Sequence, residues 1–362
     1  MVLVPVEIFT GISRIRRPDR LIPSLYVVMS KNTRTGAKMT QNSFPSIDNE
    51  TLDYLKIFHP FAFKKTIEAL QSNMRFAHYT SADTALKIIQ NGEVWMRKST
   101  CMNDFMEIEH GFNCLQKAYA DHKARFVALL EPIFPGFSTQ IEERFNAWLP
   151  SFRTSTYISC ISEHHDSEDT TGRLSMWRAY GGPTGVALVV RGAPFLRPTD
   201  ALDAYTSPVA YLDAEQFSDQ YKILLDNIES NLPYILKLSL EQLLAHFFEV
   251  FKMATLCTKH PGFAEEREWR IIYSPTLRES QKIKAGVVSI SGVPQRIYKI
   301  PLKNVHEQGL FGIEVRELLE RMIIGPTQFP IEIKEALMSV LNEKGIENPY
   351  DLIKISDIPL RN

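Results

Sequence analysis

Three short stretches of the sequence combine side chains that can hydrogen-bond or transfer protons with side chains that pack in a core. They are residues 76–80 (Phe-Ala-His-Tyr-Thr), 175–180 (Ser-Met-Trp-Arg-Ala-Tyr) and 265–270 (Glu-Glu-Arg-Glu-Trp-Arg). Polar rings at the end of a strand are uncommon in a purely structural segment. We predict that the three stretches meet in one site, and the residues indicate a pocket more directly than they indicate any named reaction.

The acidic residues of the third stretch are the first candidates for chemistry. On a strand, Glu266, Glu268 and Arg270 share one face, while Arg267 and Trp269 lie on the other. A carboxylate held in a pocket can stabilise positive charge that develops during a reaction. The same charged residues are also typical of a solvated surface patch with a local ion pair. Both interpretations stay open, because the apolar run that follows the acids is typical of a buried strand.

The first stretch offers hydrogen-bonding groups at the end of a strand. His78 can donate or accept a hydrogen bond, and Tyr79 or Thr80 can position the remainder of a ligand. A histidine at a strand end is more often a structural residue whose hydrogen bonds are satisfied. His78 therefore gains weight as a site residue only together with the other two stretches.

The second stretch supplies aromatic and cationic side chains. Trp177 and Tyr180 can stack on a planar group, although core packing on a short helix is the favoured role of Trp177. Arg178 can bind an anion through its planar fork, or can lie on the surface. The stretch is consistent with a binding site and with a packed helix.

A polar turn at residues 99–104 contains further candidates. Asn103 and Asp104 are suited to cap the helix that follows, and we favour capping for Asp104. Glu107 is favourable near the positive end of that helix and remains open as a second acid. We expect no metal site, because the only dense ligand cluster, His164-His165-Asp166, lies in a predicted loop without Cys or His partners at standard spacing.

The elements that must position these residues follow from hydrophobic spacing and from start and stop signals. The clearest unit is a strand at 75–79, a helix at 81–91 and a strand at 94–96, with a capping box at Thr80–Asp83 and a left-handed Gly92 after the helix. Further strands are predicted at 156–162, 185–190, 209–212, 268–273, 295–301 and 321–324. Further helices are predicted at 60–73, 106–130, 140–149, 174–180 and 330–343, with mostly helical sequence at 214–260.

This alternation predicts a mixed α+β fold. Residues 1–50 are interpreted as an N-terminal arm or linker. Residues 51–362 are interpreted as one α+β domain with a core at about 76–330 and helical insertions at about 106–150 and 214–260.

Composition narrows the class of protein. The 362 residues include 41 basic and 42 acidic side chains and a formal net charge of -1, which argues against a dedicated nucleic-acid binder. No apolar run approaches the roughly 20 residues that span a bilayer. The N-terminus lacks the features of a signal peptide, and the four scattered cysteines are typical of reduced thiols. We therefore expect a cytoplasmic protein that does not engage a membrane.

Several motifs resemble a prokaryotic family known as domain of unknown function 2971. They are His78-Tyr79-Thr80, Asn103-Asp104 with Glu107, Met176-Trp177 with Tyr180, Glu266 through Arg270, and Ile323-Ile324-Gly325-Pro326. The resemblance covers roughly residues 76 to 330. The chain departs from the family pattern at Phe105, where the family has proline.

The layout also looks, more loosely, like the ADP-ribosyltransferase superfamily, which implies a split β-sheet core and NAD as substrate. The resemblance implies that Glu268 stabilises the ribose during loss of nicotinamide and that His78 holds a ribose. It further implies cofactor-binding roles for Tyr79, Thr80, Trp177, Arg178, Tyr180 and Arg270. Such an enzyme would act on protein or nucleic acid as a toxin or antiviral defence factor, with an antitoxin or regulatory partner.

Two other classes of function stay open. One is a non-catalytic ligand-sensing or interaction module that keeps the same pocket. The other, weaker one is a nuclease or hydrolase that places Glu107, Glu266 and Glu268 around a divalent ion. The three hypotheses differ in a testable way, because only the first consumes NAD and only the third depends on a metal ion.

Overall fold

A computed structural model describes residues 49–101, 107–197, 199–290 and 292–359. Within them, the helices of ten residues or more are α1 (Asn49–Phe58), α2 (Pro60–Gln71), α3 (Ala82–Asn91), α4 (Glu107–Leu130), α5 (Phe137–Ser155), α6 (Ala214–Ser230), α7 (Leu240–Leu256) and α8 (Pro330–Glu343). The strands are β1 (Arg75–Ser81), β2 (Glu93–Lys98), β3 (Tyr157–His164), β4 (Gly185–Arg191), β5 (Tyr205–Pro208), β6 (Ala210–Tyr211), β7 (Thr258–Lys259), β8 (Glu268–Tyr273), β9 (Lys284–Ile290), β10 (Val293–Pro301), β11 (Leu319–Ile324) and β12 (Ile353–Ile355). The predicted α+β class is confirmed.

Ten of the strands form one mixed, largely antiparallel sheet. Its main path runs β12-β11-β4-β1-β3-β2-β10-β9, and β8 adds to β3 and is followed by β5. The pair β11–β12 is parallel, while the other pairs in this sheet are antiparallel. Strands β6 and β7 form a separate parallel pair.

The sheet is split between β1 and β2. Strand β1 pairs with β3 only at Ser162–His164, and β2 pairs with β3 only at Tyr157–Ile158. The intervening residues 159–161 pair with neither strand on that side, although β8 pairs with β3 continuously on the other side. The two strands therefore diverge and leave an opening in the sheet.

The unit of β1, α3 and β2 follows the sequence signals with one correction. Ser81 caps α3 and accepts a hydrogen bond from the backbone N–H of Thr84 at 3.2 Å. The predicted capping box began one residue earlier, at Thr80, and is wrong because β1 continues through Ser81. Gly92 ends the helix with φ 62°, as predicted.

Two differently built cores lie on the two faces of the sheet. On what we call the helical face, α4, α5, α6 and α7 enclose an aromatic cluster that includes Phe126, Phe137 and Phe247. On the opposite face, α3 and α8 pack on β4 and β11 through residues such as Ile89 and Leu337. Because antiparallel partners share a face, Glu268 and Cys160 belong to the helical face.

Several elements differ from the prediction. The helix predicted at 174–180 is an α-helical turn, Leu174–Met176, followed by a π-helical turn, Trp177–Gly181. Strands β5, β9 and β12 were not predicted. The predicted N-terminal arm falls outside the described residues except at its end, where α1 begins.

Candidate functional site

A cleft of about 690 Å³ lies where the sheet splits. Its walls come from β1, α3, β2, β3, the turn after Leu174 and the segment between β7 and β8. Because the sheet is open here, the cleft receives side chains from both faces. Of the site residues predicted from the sequence, it brings together His78, Tyr79, Thr80, Tyr180, Glu266 and Glu268.

Glu268 is a buried carboxylate held between two cations. Its side-chain oxygens accept hydrogen bonds from Arg270 Nε at 2.8 Å and from Lys259 Nζ at 3.2 Å. The side chains of Lys259 and Arg270 are 3% and 1% exposed, so water screens these charges little. The backbone N–H of Glu268 donates to the Tyr211 hydroxyl at 2.7 Å, which fixes the start of β8.

Glu266 reaches the same lysine by a different backbone route. We expected Glu266 and Glu268 to share one face of a strand, but Glu266 ends a 3₁₀ helix, Pro261–Glu266, and β8 begins only at Glu268. Arg267 between them is left-handed, with φ 44°. Glu266 accepts hydrogen bonds from Lys259 Nζ at 2.6 Å and from the Tyr180 hydroxyl at 2.8 Å.

The pKa values of the two carboxylates are shifted in opposite directions. Burial opposes ionisation of Glu268, but Arg270 and Lys259 outweigh it and hold its pKa well below the usual range. Burial raises the pKa of Glu266, and the nearby negative charge of Glu268 adds to this against the opposing effect of Lys259. Two neighbouring acids whose pKa values are pushed apart form an arrangement that supports acid–base chemistry.

His78 lies at the split and bonds across it. Its Nδ1 is 2.9 Å from the carbonyl oxygen of Cys160, and a carbonyl only accepts, so Nδ1 carries the proton. Burial lowers the pKa of His78, with partial opposition from this hydrogen bond, which favours the neutral ring. The Cys160 thiol in turn hydrogen-bonds Glu268. One residue of β3 therefore contacts both His78 and Glu268, although the two lie on different faces of the sheet.

Tyr79 supports the wall of the cleft through its neighbours. Its hydroxyl accepts a hydrogen bond from the backbone N–H of Arg173 at 2.9 Å, and its ring meets Trp177 edge-on with centroids 4.8 Å apart. Burial raises the pKa of Tyr79 to about 12. Tyr79 is thus a neutral phenol and a rigid support at physiological pH.

Trp177 lies outside the cleft and packs in the core, the role favoured from its sequence. The indole N–H donates to the Thr171 carbonyl at 2.8 Å. A Cβ on Gly172 or Gly325 would lie 2.5 or 2.8 Å from an indole carbon, and one on Gly181 would lie 3.2 Å away. Glycines from three segments therefore let the backbone approach the ring closely.

The remaining predicted site residues are placed differently. Arg178 is exposed and does not line the cleft. Arg270 lies beneath Glu268 and donates to the Leu256 carbonyl at the end of α7, so it holds the carboxylate from below. Asn103 and Asp104 lie outside the described residues, and Glu107 begins α4.

Three residues that the sequence analysis missed shape the site. Lys259 joins the two acids, Tyr211 holds the start of β8, and Arg173 clamps the backbone that carries Glu266. Arg173 Nη1 donates to the carbonyls of Glu265 and Glu266 at 2.8 and 3.2 Å. No local signal marks these residues, because each acts through a partner distant in sequence or across an irregular turn.

Comparison with known proteins gives one match. Residues 176–271 match the family model described as "Protein of unknown function (DUF2971)". This segment runs from Met176 through β8 and therefore includes Tyr180, Lys259, Glu266 and Glu268. No curated protein and no solved structure matches the chain.

The described residues contain neither a helix suited to span a membrane nor a cluster of metal-binding side chains. None of the described helices combines the length and the apolar character needed to cross a membrane. Within the same residues, no three His, Cys, Asp or Glu side chains lie close enough together to hold a metal ion.

Proposed function

We propose that the cleft binds NAD and that the protein transfers ADP-ribose from NAD to a macromolecular acceptor. The observation that carries this proposal is the ionised Glu268 carboxylate, fixed in the cleft by Arg270 and Lys259. A preorganised charge costs no reorganisation when positive charge develops on a substrate. This is the electrostatic requirement for loosening the bond between ribose and nicotinamide.

The proposed transfer breaks one bond at ribose C1′ and forms another. The bond from ribose C1′ to the nicotinamide nitrogen breaks, and its electron pair leaves with nicotinamide. Glu268 accepts a hydrogen bond from the 2′-hydroxyl and stabilises the positive charge that develops on the ribose. The acceptor forms a new bond to C1′ and loses a proton, for which the ionised form of Glu266 is the nearby base.

The other walls of the cleft support a nucleotide-like ligand. Trp95, Tyr180 and Phe263 offer aromatic surface, while Arg97 and Lys87 offer positive charge for phosphate groups. The volume of about 690 Å³ falls in the range typical of small-molecule sites, roughly 300–1,000 Å³. A neutral His78 is suited to hydrogen-bond a ribose hydroxyl.

The position of Lys259 favours this proposal over metal-dependent hydrolysis. Its ammonium contacts both carboxylates, so a divalent ion could bind between them only by displacing a buried cation. A toxin or antiviral defence role in the cytoplasm, with an antitoxin or regulatory partner, would follow from ADP-ribosylation of cellular macromolecules. The acceptor is a protein or a nucleic acid.

The test is nicotinamide release and label transfer from NAD, measured for wild-type protein and Glu268→Gln with protein, RNA and DNA acceptors. We expect turnover to fall roughly 100- to 1,000-fold, because the variant keeps the shape but loses the charge. Glu241→Gln is the matched control. Glu241 lies in the first turn of α7 and pairs with Arg144 on the surface, outside the cleft.

Calorimetric NAD titration separates the alternatives. If NAD binds but is not turned over with any acceptor, the result would support the ligand-sensing module instead. Neither binding nor turnover would overturn the NAD proposal. Activity lost on chelation and restored by a divalent ion would favour the hydrolase.

A further inference from the structure

A second cavity lies beside the cleft, on the face of the sheet opposite the helical layer. It has a volume of about 70 Å³, and its walls expose almost only carbon atoms. They include Ile89 of α3, Val190 of β4, Ile271 of β8, Ile300 of β10 and the half-buried Val315, which begins a short helix, Val315–Leu318. We call this cavity the apolar chamber.

The apolar chamber adjoins the cleft along a shared wall. His78, Ile88, Val94, Ser159 and Ile161 line both spaces. These residues come from the two diverging strands, from α3 and from the segment of β3 that pairs with neither strand. The same split that forms the cleft therefore brings the chamber to its inner end.

We propose that the apolar chamber receives a compact uncharged group, no larger than a branched three-carbon group, of a ligand whose polar part lies in the cleft. The inference goes beyond NAD transfer and does not depend on it, because it concerns a binding subsite for an apolar group. It assigns an amphipathic ligand class to the joined cavities.

The physical driving force is the chamber's lining. A water molecule occupies roughly 10–15 Å³ of such volume and needs several polar partners, so the chamber has room for small groups but offers water few hydrogen bonds. Its wall atoms lack contacts on one side and would regain dispersion attraction from a carbon group. Size and chemistry together select a small apolar occupant.

His78 determines how the group would enter. Its Nδ1 bond to the Cys160 carbonyl holds the ring at the boundary between the two spaces. A neutral imidazole can border an apolar group at little cost, whereas a charged one would need solvation. The polar contacts of the ligand then lie on the cleft side, where Arg97 and Lys87 can bind an anionic head group.

The experiment uses the full chain with labelled isoleucine methyl groups and two probes, cyclopropane and isopropyl phosphate, and follows the methyl signals by NMR. We expect both probes to shift the methyl signals of Ile161, Ile271 and Ile300 and to leave Ile141 and Ile228 in the helical core unchanged. Inorganic phosphate alone should leave the chamber signals unchanged.

Two substitutions fill the chamber with little change in chemistry. Val190→Ile combined with Val315→Leu should weaken both probes at least tenfold. Val250→Ile makes a matched change in the helical core and should leave their affinities unchanged. If the filled variant does not fold, xenon density in the chamber of wild-type crystals provides the same test.

Each contrary outcome is decisive. Chamber signals that do not move at saturating cyclopropane, probe affinity unchanged in the folded filled variant, or absent xenon density would overturn the site. Binding of cyclopropane without binding of isopropyl phosphate would overturn the connection to the cleft.

Discussion

Two buried lysines, Lys252 and Lys259, form equally short ion pairs in different settings. In α7, Lys252 Nζ lies 2.6 Å from Glu249, with the two side chains 3% and 1% exposed. In the cleft, Lys259 Nζ lies 2.6 Å from Glu266 and 3.2 Å from Glu268. Distance and burial alone do not separate the two regions.

The difference lies in access and in the pKa shifts of the acids. Lys252 lies over the Tyr205 ring at 4.6 Å, within the packed helical layer. Lys259 faces two acids with opposite pKa shifts, and both acids line a cleft. A buried ion pair inside a packed layer is costly to break, whereas buried acids with opposite pKa shifts beside a cavity are candidates for chemistry.

The largest expected effect comes from breaking the pair in the helical layer. Glu249→Gln leaves the buried Lys252 ammonium without its carboxylate, which typically costs about 3–5 kcal/mol of unfolding free energy. Urea denaturation measures the loss. Adding Lys252→Met should restore most of it, and no recovery in the double variant would show that the pair is not the cause.

A smaller effect is expected from loosening the clamp on Glu266. Arg173→Lys removes the fork that holds the carbonyls of Glu265 and Glu266 and the carboxylate of Glu168. Without the clamp, the Glu266 carboxylate is held less accurately. Because small displacements of a reacting group slow catalysis strongly, we expect NAD turnover to fall about 10- to 100-fold. The clamp acts through Glu266, so the pH profile of turnover should shift as well.

Exposed Arg316→Lys is the control for this change, because it makes the same substitution on the surface. A uniform loss of folded protein with normal turnover per folded molecule would instead assign Arg173 a purely structural role.

Opposite pH dependences should distinguish the two acids of the cleft. Glu266 has a raised pKa, so its contribution to stability is present below the unfolded value of about 4.3 and is lost as pH rises through the folded pKa. Glu268 has a lowered pKa, so its contribution is present above about 4.3 and is lost as pH falls through the folded pKa.

Urea unfolding across this pH range checks both signs. Glu266→Gln should lose less stability than wild type as pH rises, and Glu268→Gln should lose less as pH falls. Variants that change with the same sign would contradict the assignment of one raised and one lowered carboxyl pKa.

The smallest effect should come from an exposed pair of equal length. Lys117 Nζ lies 2.7 Å from Asp121 one helical turn away, but the side chains are 53% and 46% exposed. Asp121→Asn should leave the unfolding free energy almost unchanged, because water screens this pair. Calorimetry compares it with Glu249→Gln, and a similar loss in both would show that burial is not the deciding factor.

Local signals predicted the elements that frame the cleft. The unit of β1, α3 and β2 has a cap, an amphipathic helix and a left-handed glycine, all encoded within neighbouring residues. Strand β9 has no comparable signal, because it lies at the edge of the sheet, where none of its residues is buried and the apolar Val287 is 75% exposed. Strand β12 is only three residues long and depends on its pairing with β11.

The site was predictable only in part, because some of its residues have a local signal and others depend on partners distant in sequence. His78 and Glu268 stand out as polar residues in apolar segments, and the structure places both on the cleft. Lys259 is ordinary in sequence, and its importance arises from the pairing of β7 with β6 and the turn that returns Glu266 to it. The face presented by Arg178 could not be derived either, because the helix changes to a π turn at Trp177.

The packing around Trp177 has a consequence for how this sequence can diverge. Gly172 and Gly181 lie nine residues apart and Gly325 lies much farther along the chain, yet a Cβ at Gly172 or Gly325 would clash with the same indole and a Cβ at Gly181 would crowd it. A smaller residue at 177 would leave three glycines facing a void, and a larger residue at any glycine would displace the ring. Substitutions at these four positions therefore depend on one another, and we expect a change at one to be tolerated only together with changes at the others.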